Sequence, residues 1–187
     1  MIRSLPLRLR NRLAHTIIAA RHDAAAGRTL ETLAAGDCSG WLDASEREIR
    51  PRLEERARAA LRALASAPVH AAHIADALAF AAALFDAGLY FEVHEVLEPH
   101  WVRATDAIER DVLQGLIQVA VGYQHFVDGN VTGARSLLQQ GGGRLHGRRV
   151  FGIDFEPIAR AAVAAAGLPA APSPPPFPRP ATAVNRS

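Results

Sequence analysis

Residues 90–101 read YFEVHEVLEPHW. Aromatics, histidines and three glutamates crowd into about three helical turns of a chain that is elsewhere mostly alanine, leucine and arginine. Wound as an α-helix at about 100° per residue, Tyr90, Val93, Leu97 and Trp101 share one apolar face. On this projection His94 falls inside the stripe and Glu98, one turn on, at its edge. Glu95 lies further round, and Glu92 is expected to point to water. An imidazole and a carboxylate on the side that normally carries leucine demand partners, because burying either one unpaired costs several kcal/mol. Identifying those partners is the route to function.

The helix ends of a hairpin flank this stretch. VHAAHIADALAFAAALFDAG precedes it, rich in small residues and closed by Gly88 at a C-cap position. With so short a connection the two helices must run antiparallel. Pro99 removes one backbone hydrogen bond and is expected to bend the second helix near Glu95. His70 and His73, one turn apart near the helix start, suit an exposed or capping role better than a metal site.

A second hairpin follows. Ala107 to Asp128 is apolar almost all round and should be the central helix. Ile108, Val112, Leu116, Val119, Tyr123 and Phe126 cover one side of it. The other carries Arg110, Asp111, Gln114, Gln118 and His125, with Gly115 and Gly122 at the margin. A polar stripe flanked by glycines implies a close neighbouring backbone and something polar opposite, and the His94–Glu98 edge is the obvious partner. Gly129-Asn130 turns the chain into a helix expected over 131–140, ended by Gly141, Gly142 and Gly143. No strand precedes that triplet and no GK[ST] follows it, so it reads as a breaker and not a phosphate cradle. FGIDFEPIARAAVAAAGL adds a short packing helix.

Outside the hairpins, the opening stretch holds no acid before Asp23 and alternates Arg with Leu and Ile. That composition suits a transit peptide or a surface helix, but Leu5, Leu9, Leu13 and Ile17 repeat at i+4, which favours a docked basic helix or arm over 1–40. An amphipathic helix follows to about Ala65, with Asp43 or Ser45 as cap and Pro51 tolerated in its first turn. Residues 41–167 thus form the all-helical domain. From Leu168 onward PAAPSPPPFPRP reads as a Pro-rich disordered tail, 168–187. The expected architecture is an all-α bundle of about six helices, built from two central antiparallel hairpins.

With 187 residues and 49% apolar content, the chain can bury a core without disulfides. Its single cysteine, Cys38, has no internal partner, which fits a reducing, cytoplasmic setting. No apolar run approaches the roughly 18 residues of a membrane span. All 21 basic residues are arginine, spread along the chain and balanced to a net charge of +2. Without a basic stripe interleaved with aromatics, no nucleic-acid partner is expected.

LFDAGLYFEVHEVLEPHW, ERDVLQGLIQVAVGYQHF and DGNVTGARSLL resemble the small all-helical domain-of-unknown-function family numbered 309. The resemblance rests on Gly88, Tyr90, Phe91, Glu92, His94, Glu95, Glu98 and Trp101 in one helix. In the next it rests on Arg110, Asp111, Gln114, Gly115, Gln118 and His125, with Gly129 and Asn130 at the turn. It spans roughly Ala75 to Leu138, inside a family-like core of 68–145, and departs at Pro99 and His100. It implies an all-helical fold and no particular reaction.

The residues themselves leave three readings of the His94 cluster. It is a satisfied structural network that fixes helix register; a ligand or catalytic pocket; or a divalent metal site. In the pocket reading His94 and Glu98 form a proton-transfer pair, Arg110 contacts a small anionic ligand, Gln114, Gln118 and His125 orient it, and Tyr90 and Trp101 complete the binding residues. In the metal reading His94, Glu98 and His125, with Glu95, hold a divalent cation, and a hydrolase-type reaction is one outcome. Familiar designs do not fit, since a zincin needs a histidine where Glu98 stands and no Glu-x-x-His pair is present. A non-enzymatic alternative is a helical-hairpin scaffold for a protein partner, which would expose Tyr90, Phe91 or Trp101 on a concave face.

Overall fold

The computed structural model describes residues 4–67 and 74–179. Their regular structure is eight α-helices, a short 3-10 helix and one minimal β-hairpin. The helices are α1 (Leu7–Ala19), α2 (Ala24–Ala34), α3 (Arg50–Ser66), α4 (Ile74–Asp86), α5 (Tyr90–Arg103), α6 (Ala107–Val127), α7 (Val131–Leu145) and α8 (Glu156–Ala166). The 3-10 turn, Ala44–Ile49, leads into α3, while strands β1 (Arg149–Val150) and β2 (Ile153–Asp154) pair antiparallel between α7 and α8. His70 and His73 lie outside the described residues.

Local chemistry explains where the helices start and stop. Asp23 caps α2 by accepting from Ala25 N–H at 2.8 Å, and Asp106 caps α6 by accepting from Ile108 and Glu109 N–H, both at 2.9 Å. Gly88 (φ 77°) and Gly129 (φ 82°) end α4 and α6 in the left-handed conformation. There the next amides reach back, Leu89 N–H to Leu84 O at 2.9 Å and Asn130 N–H to His125 O at 2.8 Å. Both expected hairpins, α4–α5 and α6–α7, are therefore closed by a glycine cap. Pro51 sits in the first turn of α3, and α5 runs on through Pro99 to Arg103.

Helix α6 is central, packed between α5 and α7. Its apolar side, Val112, Leu116, Val119 and Tyr123, joins one continuous core that also takes in Leu5, Leu9, Leu13 and Ile17 of the N-terminal segment. Over residues 4–40, α1 and α2 both dock on the domain, and α2 has no counterpart in the sequence-based reading. Among the described residues, no helix is long and apolar enough to cross a membrane. Cys38 is buried and unpaired, and burial pushes its thiol up, away from nucleophilic character.

Two further expectations are corrected. Gly141–Gly143 do not end α7, which continues to Leu145. A Cβ on Gly141 would sit 2.7 Å from the Gly115 carbonyl oxygen, and one on Gly142 2.7 Å from Val163 Cγ2. Here the glycines let α6, α7 and α8 approach backbone to backbone, so tertiary contact overrides weak helix propensity. Nor is the Pro-rich segment free over 168–179. Phe177 is buried against Phe85, ring centroids 4.8 Å apart, and its N–H donates to Asp86 Oδ1 at 3.4 Å. Arg179 pairs with the other oxygen of Asp86 at 2.5 Å.

Candidate functional site

Helix α5 buries a different arc from the one its apolar residues suggest. Tyr90, Val93, Val96 and Leu97 are buried, and the arc extends round to Glu92 instead of to Glu98. Glu92 does not point to water. It is fully buried and accepts from Arg56 Nη2 of α3 with both oxygens, at 2.8 and 2.7 Å, and Arg56 is itself fully buried. This ion pair sets the rotation of α5. His94, Glu95 and Glu98 consequently turn to the half-open side of the helix, with side-chain exposures of 28, 22 and 45%. The polar site is partly exposed, not buried.

Those three side chains come together. Glu95 Oε1 lies 3.0 Å from His94 Nδ1, and Glu98 Oε1 lies 3.8 Å from Nε2. One ligand atom from each falls within 4.8 Å of the others, a spacing that a metal ion could bridge. Because a carboxylate only accepts, the contact with Glu95 requires a proton on Nδ1, and in the neutral ring Nε2, on the Glu98 side, is then the nitrogen free to coordinate.

His125 is not part of that group, but it lines the same cleft as His94, a space of about 280 Å³ between α1, α5 and α6. Its tautomer is the opposite one. Asn130 Oδ1 accepts from Gly133 N–H at 3.0 Å to cap α7, so its Nδ2 must be the atom 3.0 Å from His125 Nδ1. His125 Nδ1 therefore accepts and Nε2 carries the proton. In this arrangement His125 offers the cleft a donor.

The other expected residues scatter. Tyr90 is in the core, stacked edge-on against Phe85 at 5.0 Å and tilted against Tyr123 at 5.8 Å, and burial pushes both tyrosine hydroxyls up to about 12. Gln118 turns to α7, donating to Gln140 Oε1 at 3.3 Å and accepting from Arg144 Nε at 3.2 Å. Gln114 is half-buried on the same helix. Arg110 is exposed and stacks over the half-buried Trp101 ring at 5.1 Å. Asp111 pairs with Arg144 of α7 and with Arg148 in the turn that follows it.

Residues with no place in the sequence-based site complete the cleft: Arg10, whose guanidinium lies 4.1 Å over Phe91, with Val121, Gln124 and Asp128. Their one visible signal was periodicity. Gln124 and Asp128 stand one turn apart at the end of α6, and Arg10 follows Leu9 on a helix whose leucine stripe already marked it as docked.

Residues 78–137, from α4 into α7, match the family model described as "Domain of unknown function (DUF309)". No curated protein and no solved structure matches the chain.

Proposed function

We propose that the α5 helix of this chain, whose residues 78–137 match the DUF309 family model, holds a divalent cation on His94 and Glu98, oriented by Glu95. The observation that carries this reading is the bracketing of one imidazole by two carboxylates, at 3.0 and 3.8 Å, on the open side of a helix. Glu95 acts through Nδ1 and so makes Nε2 the better ligand, the usual support for a metal-bound histidine. Two or three protein ligands leave coordination positions to water, which an ion activates for hydrolysis. In this reading Arg110, held over Trp101 three residues beyond Glu98, is the contact for an anionic substrate, with Gln114 one turn further along α6. A reducing, cytoplasmic setting is part of the proposal, supported by a single buried free thiol.

The scaffold alternative has less support, because Tyr90 lies in the core and Phe91 lies under Arg10. The test is elemental analysis of tag-free protein, followed by titration with Zn²⁺ and Mn²⁺. The expected result is one ion per chain, lost in His94→Ala and bound about 10–100-fold more weakly in Glu95→Gln. Failure of wild-type protein to take up either ion, together with a large fall in melting temperature for His94→Ala, would overturn the reading in favour of a structural network.

A further inference from the structure

The cleft beside His94 contains polar atoms that the fold leaves unanswered. Gln124 is only 6% exposed. Its Nε2 donates to Ser4 Oγ at 2.8 Å and to Asp128 Oδ2 at 3.1 Å, and since a carboxylate cannot donate, the orientation of the amide is fixed. Oε1 is then the atom left over, buried and without a hydrogen-bond partner. Arg10, which lines the same cleft, likewise has its Nε buried and unpartnered. His125 adds a third polar atom, the Nε2–H set by Asn130. Buried polar groups are ordinarily satisfied, so each unmatched one points to a missing partner.

The chemistry of that partner follows from what is on offer. Two donors, Arg10 Nε–H and His125 Nε2–H, stand with one acceptor, Gln124 Oε1. The formal charges cancel between Arg10 and Asp128, and the Asp128 carboxylate already accepts from Ser4 N–H, Ser4 Oγ and Gln124 Nε2. Nothing here calls for an ion. Phe91 and Val121 supply an apolar wall, and about 280 Å³ is the small end of ligand-site volumes, room for one ring.

We propose that this cleft binds a small, neutral, planar molecule with an amide edge: a carboxamide, ureide or lactam. Its carbonyl oxygen accepts from Arg10 and His125, its N–H donates to Gln124 Oε1, and its flat body lies against Val121, beside the Phe91 ring that Arg10 covers. No cation is required, so this site and the metal reading stand or fall separately, although His94 borders both.

The full-length chain, stripped of metal with EDTA, is titrated with nicotinamide and, as control, nicotinate, which has the same ring and no amide donor. Saturable binding of nicotinamide is expected, with nicotinate at least about tenfold weaker for the lost hydrogen bond. Gln124→Met, which keeps the length and removes the acceptor, should remove this preference. Should that variant fail to fold, the wild-type ¹⁵N spectrum decides alone: the Gln124 side-chain amide and the His125 ring signals shift with the nicotinamide midpoint. Equal binding of the two probes, or unmoved Gln124 and His125 signals at millimolar nicotinamide, would overturn the proposal and leave water as the cleft's occupant.

Discussion

Glu92 is the residue that re-aims the candidate site. Its position within the aromatic helix suggests a solvated carboxylate, yet its partner is Arg56, 36 residues earlier on α3, and both side chains are fully buried. Nothing local in the sequence announces that pairing, which is why the apolar arc of α5 reads as centred one step away from where it lies. Breaking such a pair strands a charge in the core. Glu92→Gln should therefore cost about 3–5 kcal/mol in urea unfolding, whereas the double change Arg56→Met, Glu92→Leu should cost much less. The buried tyrosines carry a pH signature. Their hydroxyls stay protonated to about 12 in the fold, while in the unfolded chain they ionise near an ordinary value of about 10. Between those values the unfolded state binds fewer protons, so stability is lost as pH rises through the window. Melting curves between about pH 9 and 11.5 should fall steeply for wild type and less steeply for Tyr90→Phe.

At the scale of elements, capping chemistry was legible and close packing was not. Gly88, Gly129 and Asn130 each sit where a turn between antiparallel helices needs them, and the structure uses them so. Gly141 and Gly142 look like a helix stop by propensity alone. Their role comes from helices elsewhere in the chain, the Gly115 backbone on α6 and Val163 on α8, which no window around residue 141 contains. Paired substitutions test this. Gly141→Ala, forced against the Gly115 carbonyl, should destabilise by about 1–3 kcal/mol. Gly143→Ala, whose Cβ meets nothing within 4 Å on the same helix, should be neutral or stabilising by up to about 1 kcal/mol. Equal effects of the two would contradict a backbone-contact role for Gly141.

For the molecule as a whole, periodicity and punctuation were enough to assign an all-helical bundle around two hairpins, because those features are local. The leucine stripe also marked the N-terminal segment as docked. The polar contacts that close the bundle there, and the return of the proline-rich segment, were not assignable in the same way. Ser4 fastens the N-terminal segment to Asp128 and Gln124 at the end of α6, and Phe177 brings the proline-rich segment back to Phe85 and Asp86. Composition read that segment as free since proline and alanine have little to bury, but one phenylalanine is enough to anchor it. Phe177→Ala should lower stability by about 3–5 kcal/mol, checked by chemical unfolding. The functional proposal depends on the two cleft histidines having opposite tautomers, His94 with its lone pair on Nε2 and His125 with its proton there. Long-range ¹H–¹⁵N NMR of the imidazole rings reads this directly, before and during addition of Zn²⁺. The account predicts an unprotonated Nε2 on His94 that shifts on adding Zn²⁺, while the His125 ring stays as it was. A proton on His94 Nε2, or a His94 resonance indifferent to the ion, would contradict it.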